Sequence, residues 1–120
     1  MSDTPKNFYK KLLGSKGEKI AEKYLKKQGY AILEKNYKTH YGEADLIASK
    51  DGVIVFIEVK TRTSTEYGLP CEAVDGKKQN RYRRICEYFF YERRFDNVEV
   101  RFDVIEILGD EINHIIDAFI

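Results

Sequence analysis

The stretch Gly42–Arg62, GEADLIASKDGVIVFIEVKTR, decides the fold. Two apolar runs, residues 44–48 and 53–59, flank a Ser-Lys-Asp-Gly segment at residues 49–52. An Asp-Gly pair between such runs is a strong short-range signal for a β-hairpin. The sequence therefore predicts two antiparallel strands that are joined by a tight turn.

Charged side chains interrupt both of these predicted strands. The period of two along a strand places Glu58 and Lys60 on one face of the second strand. Pairing across the turn brings Asp45 of the first strand close to Glu58 if their faces agree. An ionised carboxylate in an apolar strand is costly to bury without a partner. Two explanations stay open: hard oxygen ligands for a divalent cation such as Mg²⁺, or a salt bridge to Lys60.

Charge is segregated along a chain whose net charge is only +1. Residues 1–40 carry a net +6 and residues 76–94 a net +5, whereas residues 41–75 carry −4 and residues 95–120 carry −6. Such blocks predict either a basic face beside an acidic cluster, as a phosphodiester substrate requires, or blocks that pair with one another across the fold.

The composition is typical of a protein that stays in the cytoplasm. Two cysteines without CxxC spacing, Cys71 and Cys86, indicate reduced thiols, with Cys86 on a core face. The N-terminal residues are polar and rich in lysine, without the apolar segment of a signal peptide. No apolar run is long enough to span a bilayer, so the sequence predicts no membrane partner.

Helical signals lie before the hairpin. Thr4-Pro5 predicts the start of a helical arm over residues 1–13, and a capping box at residues 15–18 predicts a new helix that ends at Gly29. Glu18 is the acidic residue of this box. It either caps its own helix or points toward the hairpin carboxylates as part of a site.

A second main helix is predicted from Ala73 or Gly76 to Glu92, where apolar residues recur at helical spacing. The first half of this helix is rich in cations. Each cation near a helix N-terminus interacts unfavourably with the macrodipole, at a cost of a few tenths of a kcal/mol. This unfavourable arrangement suggests an anionic partner. The cations are Lys77, Lys78, Arg81, Arg83 and Arg84.

Three further strands are predicted at residues 30–38, 98–108 and 112–119 from apolar alternation and turn residues. The fold class is therefore α/β: a mixed central sheet of about five strands with flanking helices, in the order αβββαββ, with a right-handed helical crossover. At 120 residues the chain is one domain, residues 1–120, with a single core.

The chain resembles the YraN-like family of uncharacterised bacterial proteins. Several short motifs occur in it in the order and at the spacing found in that family. That family is assigned to the PD-(D/E)xK nuclease superfamily, close to the archaeal Holliday-junction resolvases. The resemblance extends from about Gly14 to the C-terminus. Its main motifs are Gly17-Glu18, Gly42–Ile47, Phe56–Arg62, Gly68-Leu69-Pro70 and Lys78-Gln79.

The resemblance implies a restriction-endonuclease-like fold and a catalytic set. Asp45 is the motif aspartate, Glu58 the second acidic residue, Lys60 the catalytic lysine and Glu18 the helix glutamate that completes the cluster. The sequence has Ala44-Asp45 where Pro-Asp would stand in the superfamily. The three acids, with the carbonyl of Val59, would bind Mg²⁺ or Mn²⁺.

A nucleic-acid interface follows from the same resemblance and from the charge pattern. DNA is the expected substrate, branched or otherwise structured, and RNA is not excluded by any residue. The alternative is a catalytically silent nuclease-fold module that binds nucleic acid or a protein partner. Resolvase-like nucleases are commonly dimers, which leaves a homodimer open. The predicted nucleic-acid contacts are Arg62, Lys77, Lys78, Gln79 and Arg81.

Overall fold

The structure is a computed structural model that describes the backbone of residues 5–62 and 76–119 and the side chains of residues 14–62 and 76–118. Within these ranges the chain forms an α/β fold in the predicted order αβββαββ. The elements are α1 Pro5–Lys27, β1 Ala31–Thr39, β2 Gly42–Lys50, β3 Val53–Arg62, α2 Gly76–Arg93, β4 Glu99–Leu108 and β5 Glu111–Phe119.

Some predictions concern residues outside these ranges. They are the N-cap at Thr4, the alternative helix start at Ala73, the thiol of Cys71 and the motif Gly68-Leu69-Pro70.

The five strands form one mixed sheet in the order β1-β2-β3-β4-β5. All neighbours are antiparallel except β3 and β4, which are parallel and are separated in sequence by α2. The β2–β3 hairpin is confirmed. Its turn residues, Asp51 and Gly52, have φ values of 51° and 81°, and two left-handed residues in succession are what a tight type I′ turn requires.

Each face of the sheet is covered by one helix. The predicted apolar stripe of α2 is buried against one face, where Tyr82, Ile85, Cys86 and Phe89 pack on strand residues that include Phe56 and Val104. On the other face Ala21 and Leu25 of α1 pack on strand residues that include Ile57 and Ile105. The central strand β3 therefore contributes to both cores, and the predicted core position of Cys86 is confirmed.

The helix α1 is continuous, so the predicted new helix start at the capping box is wrong. Ser15 lies in the middle of Pro5–Lys27, where it has no free helix N-terminus to cap. A glycine inside a helix costs about 1 kcal/mol, but Gly14 and Gly17 both lie within the continuous helix. Gly17 instead allows the helix backbone to approach β3, because a Cβ there would overlap the Thr61 hydroxyl.

We expect the substitutions Gly17→Ala and Gly14→Ala to have opposite effects on stability. A Cβ at Gly17 would lie 3.3 Å from Thr61 Cβ as well as overlapping the hydroxyl, so α1 must move away from the sheet. A Cβ at Gly14 meets nothing within 4 Å, and alanine there should stabilise the helix by up to about 1 kcal/mol. Urea unfolding of both variants measures the difference. A stabilised Gly17→Ala protein would contradict the close packing.

A buried polar network joins α1 to β4 and β5. The Asp103 carboxylate accepts two hydrogen bonds from Arg101 at 2.9 Å and one from the Asp117 N–H at 2.9 Å. Its Oδ2 also lies 2.7 Å from His114 Nε2, and His114 Nδ1 lies 3.0 Å from the Tyr24 hydroxyl. One histidine thus bridges a helix side chain and a strand carboxylate.

In the described part of the chain, no helix is both long enough and apolar enough to cross a lipid bilayer.

Candidate functional site

The sheet is interrupted at Asp45, in the middle of its second strand. On one side of β2 the paired residues are Leu46 with Lys35 and Ala44 with Tyr37, so Asn36 is the residue opposite Asp45. Within the described sheet, Asp45 belongs to neither of its two strand ladders. Asn36 has a φ of 51°, a left-handed conformation that asparagine tolerates better than most residues. The backbone thus opens at this point.

The opening lets the half-buried Asp45 side chain turn toward β3. Its Oδ2 accepts a hydrogen bond of 2.8 Å from the backbone N–H of Val59, next to Glu58. The ladder between β2 and β3 ends at Leu46 and Ile57, and in the same register Glu58 is the residue opposite Asp45. Asp45 therefore lies beside the Glu58 end of β3, close enough for the charge of Glu58 to raise the pKa of Asp45.

Glu58 is buried, with an exposed fraction of 7%, and its carboxylate is fully engaged. Oε2 accepts a hydrogen bond of 2.5 Å from the Tyr82 hydroxyl. Oε1 lies 2.5 Å from Lys78 Nζ and 3.2 Å from Lys60 Nζ. Burial alone would raise the pKa of Glu58, but the hydrogen bonds from Lys78 and Tyr82 outweigh it and hold that pKa below its usual value.

The two lysines differ although they share one carboxylate oxygen. Burial and the neighbouring Lys78 lower the pKa of Lys60. Burial also acts to lower the pKa of Lys78, but its hydrogen bond to Glu58 raises that pKa overall. Lys78 therefore carries the more persistent positive charge, and Lys60 is the amine that loses its proton more readily.

Glu18 lies on the α1 side of the opening. With its amide oriented to donate, Asn36 lies 2.6 Å from Glu18 Oε1 and 2.9 Å from Glu43 Oε1. Burial raises the pKa of Glu18, and the charges of Glu43 and Glu58 raise it further. Glu18 therefore faces the hairpin acids, and the alternative that it only caps its own helix is wrong.

The negative charges of the neighbouring acids all act on Asp45 and raise its pKa. Burial raises the pKa of Asp45 to about 7, and the charge of Glu58 adds to this effect, while the Val59 N–H opposes it. Glu18 and Glu43 contribute further repulsion. The site thus concentrates negative charge that a proton or a cation would relieve.

These acids have the ligand chemistry of a magnesium site, since carboxylate oxygens are hard donors. In the described ranges, however, no three His, Cys, Asp or Glu side chains are gathered closely enough to bind one ion. Glu58 is held by Lys60 and Lys78, and Glu18 faces Asn36. The chemistry of these oxygen donors suits the cation, but the side chains do not converge on one point, so Glu18, Asp45, Glu58 and Val59 as its ligands stay a prediction.

The predicted nucleic-acid contacts fall into two groups. Arg62 donates to Glu106 at 3.0 Å inside the sheet, and Lys78 binds Glu58, so both cations already contact a carboxylate. Lys77 and Arg81 are exposed on α2, and Gln79 is half-buried beside them. Of these predicted contacts, Lys77 and Arg81 are the exposed cations, and they form the open basic part of the predicted interface.

Sequence reasoning missed Asn36 and Tyr82 as site residues. Tyr82 has the spacing of a core residue and is 1% exposed, so its hydroxyl gave no separate signal. Asn36 is a single polar residue in a predicted strand, and such a residue gives no indication of its partners.

Replacing Tyr82 with phenylalanine should destabilise the fold by about 1–3 kcal/mol, because Glu58 Oε2 would lose its donor in a buried position. The pKa of Glu58 should also rise, since that hydrogen bond is one of the interactions that lower it. Tyr91→Phe is the matched control, as Tyr91 is 84% exposed on the same helix. Equal unfolding free energies for the two variants would contradict the predicted role of the Tyr82 hydroxyl.

Comparison with known proteins identifies related chains. A model of the uncharacterised protein family UPF0102 matches residues 17–107. A UPF0102 protein of Caldanaerobacter subterraneus is 48% identical over 121 residues, which covers 95% of this chain and 99% of the relative. Another from Alkaliphilus metalliredigens is 47% identical, covering 91% of this chain and 98% of the relative. A third, from Persephonella marina, is 41% identical, covering 88% and 91%.

Proposed function

The chain belongs to the uncharacterised protein family UPF0102, and we propose that it is a metal-dependent endonuclease of the PD-(D/E)xK type that hydrolyses phosphodiester bonds in DNA. The observation that carries the proposal is the arrangement around Glu58. A buried carboxylate contacts two lysines, directly beside the half-buried Asp45, where the sheet ladder opens. Perturbed titratable groups at such an opening are typical of catalytic sites.

The acids supply the metal-binding part of the proposal. Asp45, Glu58 and Glu18 would hold Mg²⁺ or Mn²⁺ once their side chains turn toward one ion, because a divalent cation would relieve their mutual repulsion. When bound, such an ion stabilises charge on the phosphoryl group and makes a water molecule more acidic. The Val59 backbone, whose N–H fixes Asp45 Oδ2, keeps that carboxylate oriented.

In this proposal Lys60 accepts a proton and Lys78 stabilises negative charge. Lys60 Nζ, the less basic amine, is suited to accept a proton from the attacking water or to orient that water. Lys78 Nζ keeps its proton and can stabilise the negative charge that develops on the phosphoryl oxygens. Tyr82 acts through Glu58, whose carboxylate it holds in place.

The exposed cations of α2 supply substrate binding. Lys77 and Arg81 lie on the same helix as Lys78, within about one turn of it. Contacts from such side chains to phosphates fix a nucleic acid without reading its sequence. Such binding agrees with a substrate that the protein recognises by its shape and not by its base sequence.

The test is cleavage of linear duplex, single-stranded, flapped and four-way DNA with Mg²⁺, with Mn²⁺ and with EDTA. Wild-type protein should cleave at least one of these only with metal, and Lys60→Ala should lower the rate by about 10²–10⁴-fold. Lys50→Ala is the control, since Lys50 lies at the other end of the hairpin and contacts Gln28 O. Equal rates for Lys60→Ala and wild type would exclude the catalytic role.

One observation favours a second candidate, a nuclease-fold module that binds nucleic acid without cleaving it. Lys78 Nζ lies 2.5 Å from Glu58 Oε1, where it would compete with a metal ion for that oxygen. Isothermal titration calorimetry with Mg²⁺ separates the candidates. The endonuclease should bind the cation at a site that Asp45→Asn removes, whereas the silent module should bind DNA in the same way with or without it.

A further inference from the structure

The β1–β2 turn carries two aromatic rings that are stacked on each other in solvent. The ring centroids of His40 and Tyr41 lie 4.0 Å apart at an interplanar angle of 37°. Both residues are exposed, Tyr41 with 38% of its surface accessible. Exposed aromatic residues in a polar turn contribute little to a core, so the folded structure alone gives no reason for this stack.

Two arginines of α2 lie against this turn. The guanidinium carbon of Arg84 lies 5.9 Å from the centroid of the Tyr41 ring. The aliphatic stem of Arg81 lies on Gly42, where a Cβ would overlap Arg81 Cδ. The absence of a side chain at Gly42 thus allows α2 and the turn to approach closely, and both arginines are held beside the stacked rings.

The arginine charges have no counter-ion in the described part of the chain. Within residues 14–62 and 76–118 no carboxylate forms an ion pair with Arg81 or Arg84. The first turn of α2 also contains no acidic residue. The nearby surface therefore combines two arginines that have no carboxylate partner in these ranges with two exposed aromatic residues.

We propose that His40, Tyr41, Arg81 and Arg84 form a platform for an unpaired nucleobase and its flanking phosphates. A base would stack as the next ring on the aromatic pair, and the arginines would bind the backbone beside it. In a continuous duplex the base faces are covered by their neighbours, so the ligand is a single-stranded segment, as in an overhang or a flap. This inference rests on the proposed function and names the substrate feature that the site selects.

The platform lies close to the candidate catalytic residues. Tyr41 is four residues from Asp45 along the chain, so their Cα atoms are at most about 14 Å apart. Arg81 directly precedes Tyr82, which binds Glu58. At about 3.4 Å per nucleotide along one strand, a base on the platform would be within about four nucleotides of the acids.

The test is fluorescence anisotropy in EDTA with three labelled probes: a single strand, the matching blunt duplex, and that duplex with a single-stranded overhang. Tyr41→Leu should weaken binding of the single strand and the overhang probe by about tenfold and leave the blunt duplex unchanged. Arg81→Gln should weaken all three probes and reduce the salt dependence of binding. Tyr91→Leu, an exposed aromatic at the other end of α2, is the control and should bind like wild type.

A second readout reports stacking directly. The chain contains no tryptophan, so the variant Y41W has a single indole at the platform and Y91W a single indole outside it. Adding the single strand should quench the emission of Y41W and not that of Y91W, whereas the blunt duplex should quench neither.

The outcomes are separable from those of the proposed function. If wild type binds none of the probes, this inference fails, whereas the proposed function is decided by the cleavage assay with Mg²⁺ or Mn²⁺. If wild type binds them and Tyr41→Leu shows unchanged affinities, or an equal loss for all three, only the stacking platform is overturned. Absence of quenching in Y41W under saturating single strand would overturn it as well.

Discussion

Replacing Asp45 with asparagine should abolish cleavage and at the same time make the protein more stable. Asparagine is isosteric and can still accept the hydrogen bond from the Val59 N–H. It removes the charge on which metal binding would depend, so the cleavage rate should fall by at least about 100-fold. It also removes a carboxylate whose pKa burial and the Glu58 charge raise to about 7.

The stability gain should depend on pH in a defined direction. Because the folded pKa of Asp45 is about 7 and the usual value is 3.8, the folded state holds its proton more tightly than the unfolded state. The ionised carboxylate therefore destabilises wild type increasingly from about pH 4 to pH 7, and the penalty is constant above that range. Asp45→Asn should match wild type near pH 3 and exceed it at pH 8 by up to about 4 kcal/mol.

Urea unfolding at several pH values, without and with Mg²⁺, measures this difference. Mg²⁺ should stabilise wild type at pH 8 and not the variant, because a ligand that binds only the folded state raises its stability. Asp51→Asn, in the exposed turn of the same hairpin, is the control and should change stability by less than about 0.5 kcal/mol. A variant that cleaves like wild type, or is no more stable than wild type at pH 8, would contradict the prediction.

Replacing Asp103 with alanine should be the most destabilising single change considered for this protein, at about 3–5 kcal/mol. The Asp103 side chain is fully buried, and its removal leaves the Arg101 guanidinium, the His114 ring and the Asp117 N–H without their acceptor. For a domain of 120 residues, this corresponds to a fall in Tm of roughly 12–20 °C.

Thermal unfolding of Asp103→Ala beside Asp110→Ala checks the prediction. Asp110 lies exposed in the β4–β5 turn, so its loss should cost less than about 0.5 kcal/mol. Burial would raise the pKa of Asp103, but the hydrogen bonds from His114 and Arg101 hold it below its usual value. Wild type should therefore lose this stabilisation only as the pH falls below about 4. The unfolding free energy of Asp103→Ala should not show this loss, because the variant has no carboxylate to protonate at that position. A similar Tm for both variants would rule out the network as a main source of stability.

The order of helices and strands along the chain was predictable because its signals are local. The Asp51-Gly52 turn fixes the register of β2 and β3, and that register already brings Asp45 opposite Glu58. The apolar stripe of α2 likewise follows from its own sequence. The local signal was misleading at the capping box of residues 15–18, because α1 continues through Ser15 and buries Ala21 and Leu25 against the sheet.

The remainder of the site depends on contacts between distant parts of the chain. Tyr82 is 24 residues from Glu58, and Tyr24 is 90 residues from His114, so neither pairing leaves a pattern within one element. His114 looks like a polar residue of an edge strand, although its side chain is only 6% exposed. Lys78, a predicted substrate contact, binds Glu58 inside the site, and this contact was not predicted.

The single parallel junction of the sheet has a consequence for the order of folding. β1, β2 and β3 pair through short turns, whereas β3 meets β4 only after α2 has crossed the sheet. Closing that long connection costs chain entropy before any pairing compensates for it. We therefore expect the three-stranded meander to form early and β4 to dock late, with Ile47 showing a higher φ-value than Val104. The reverse ranking would show that the crossover nucleates folding.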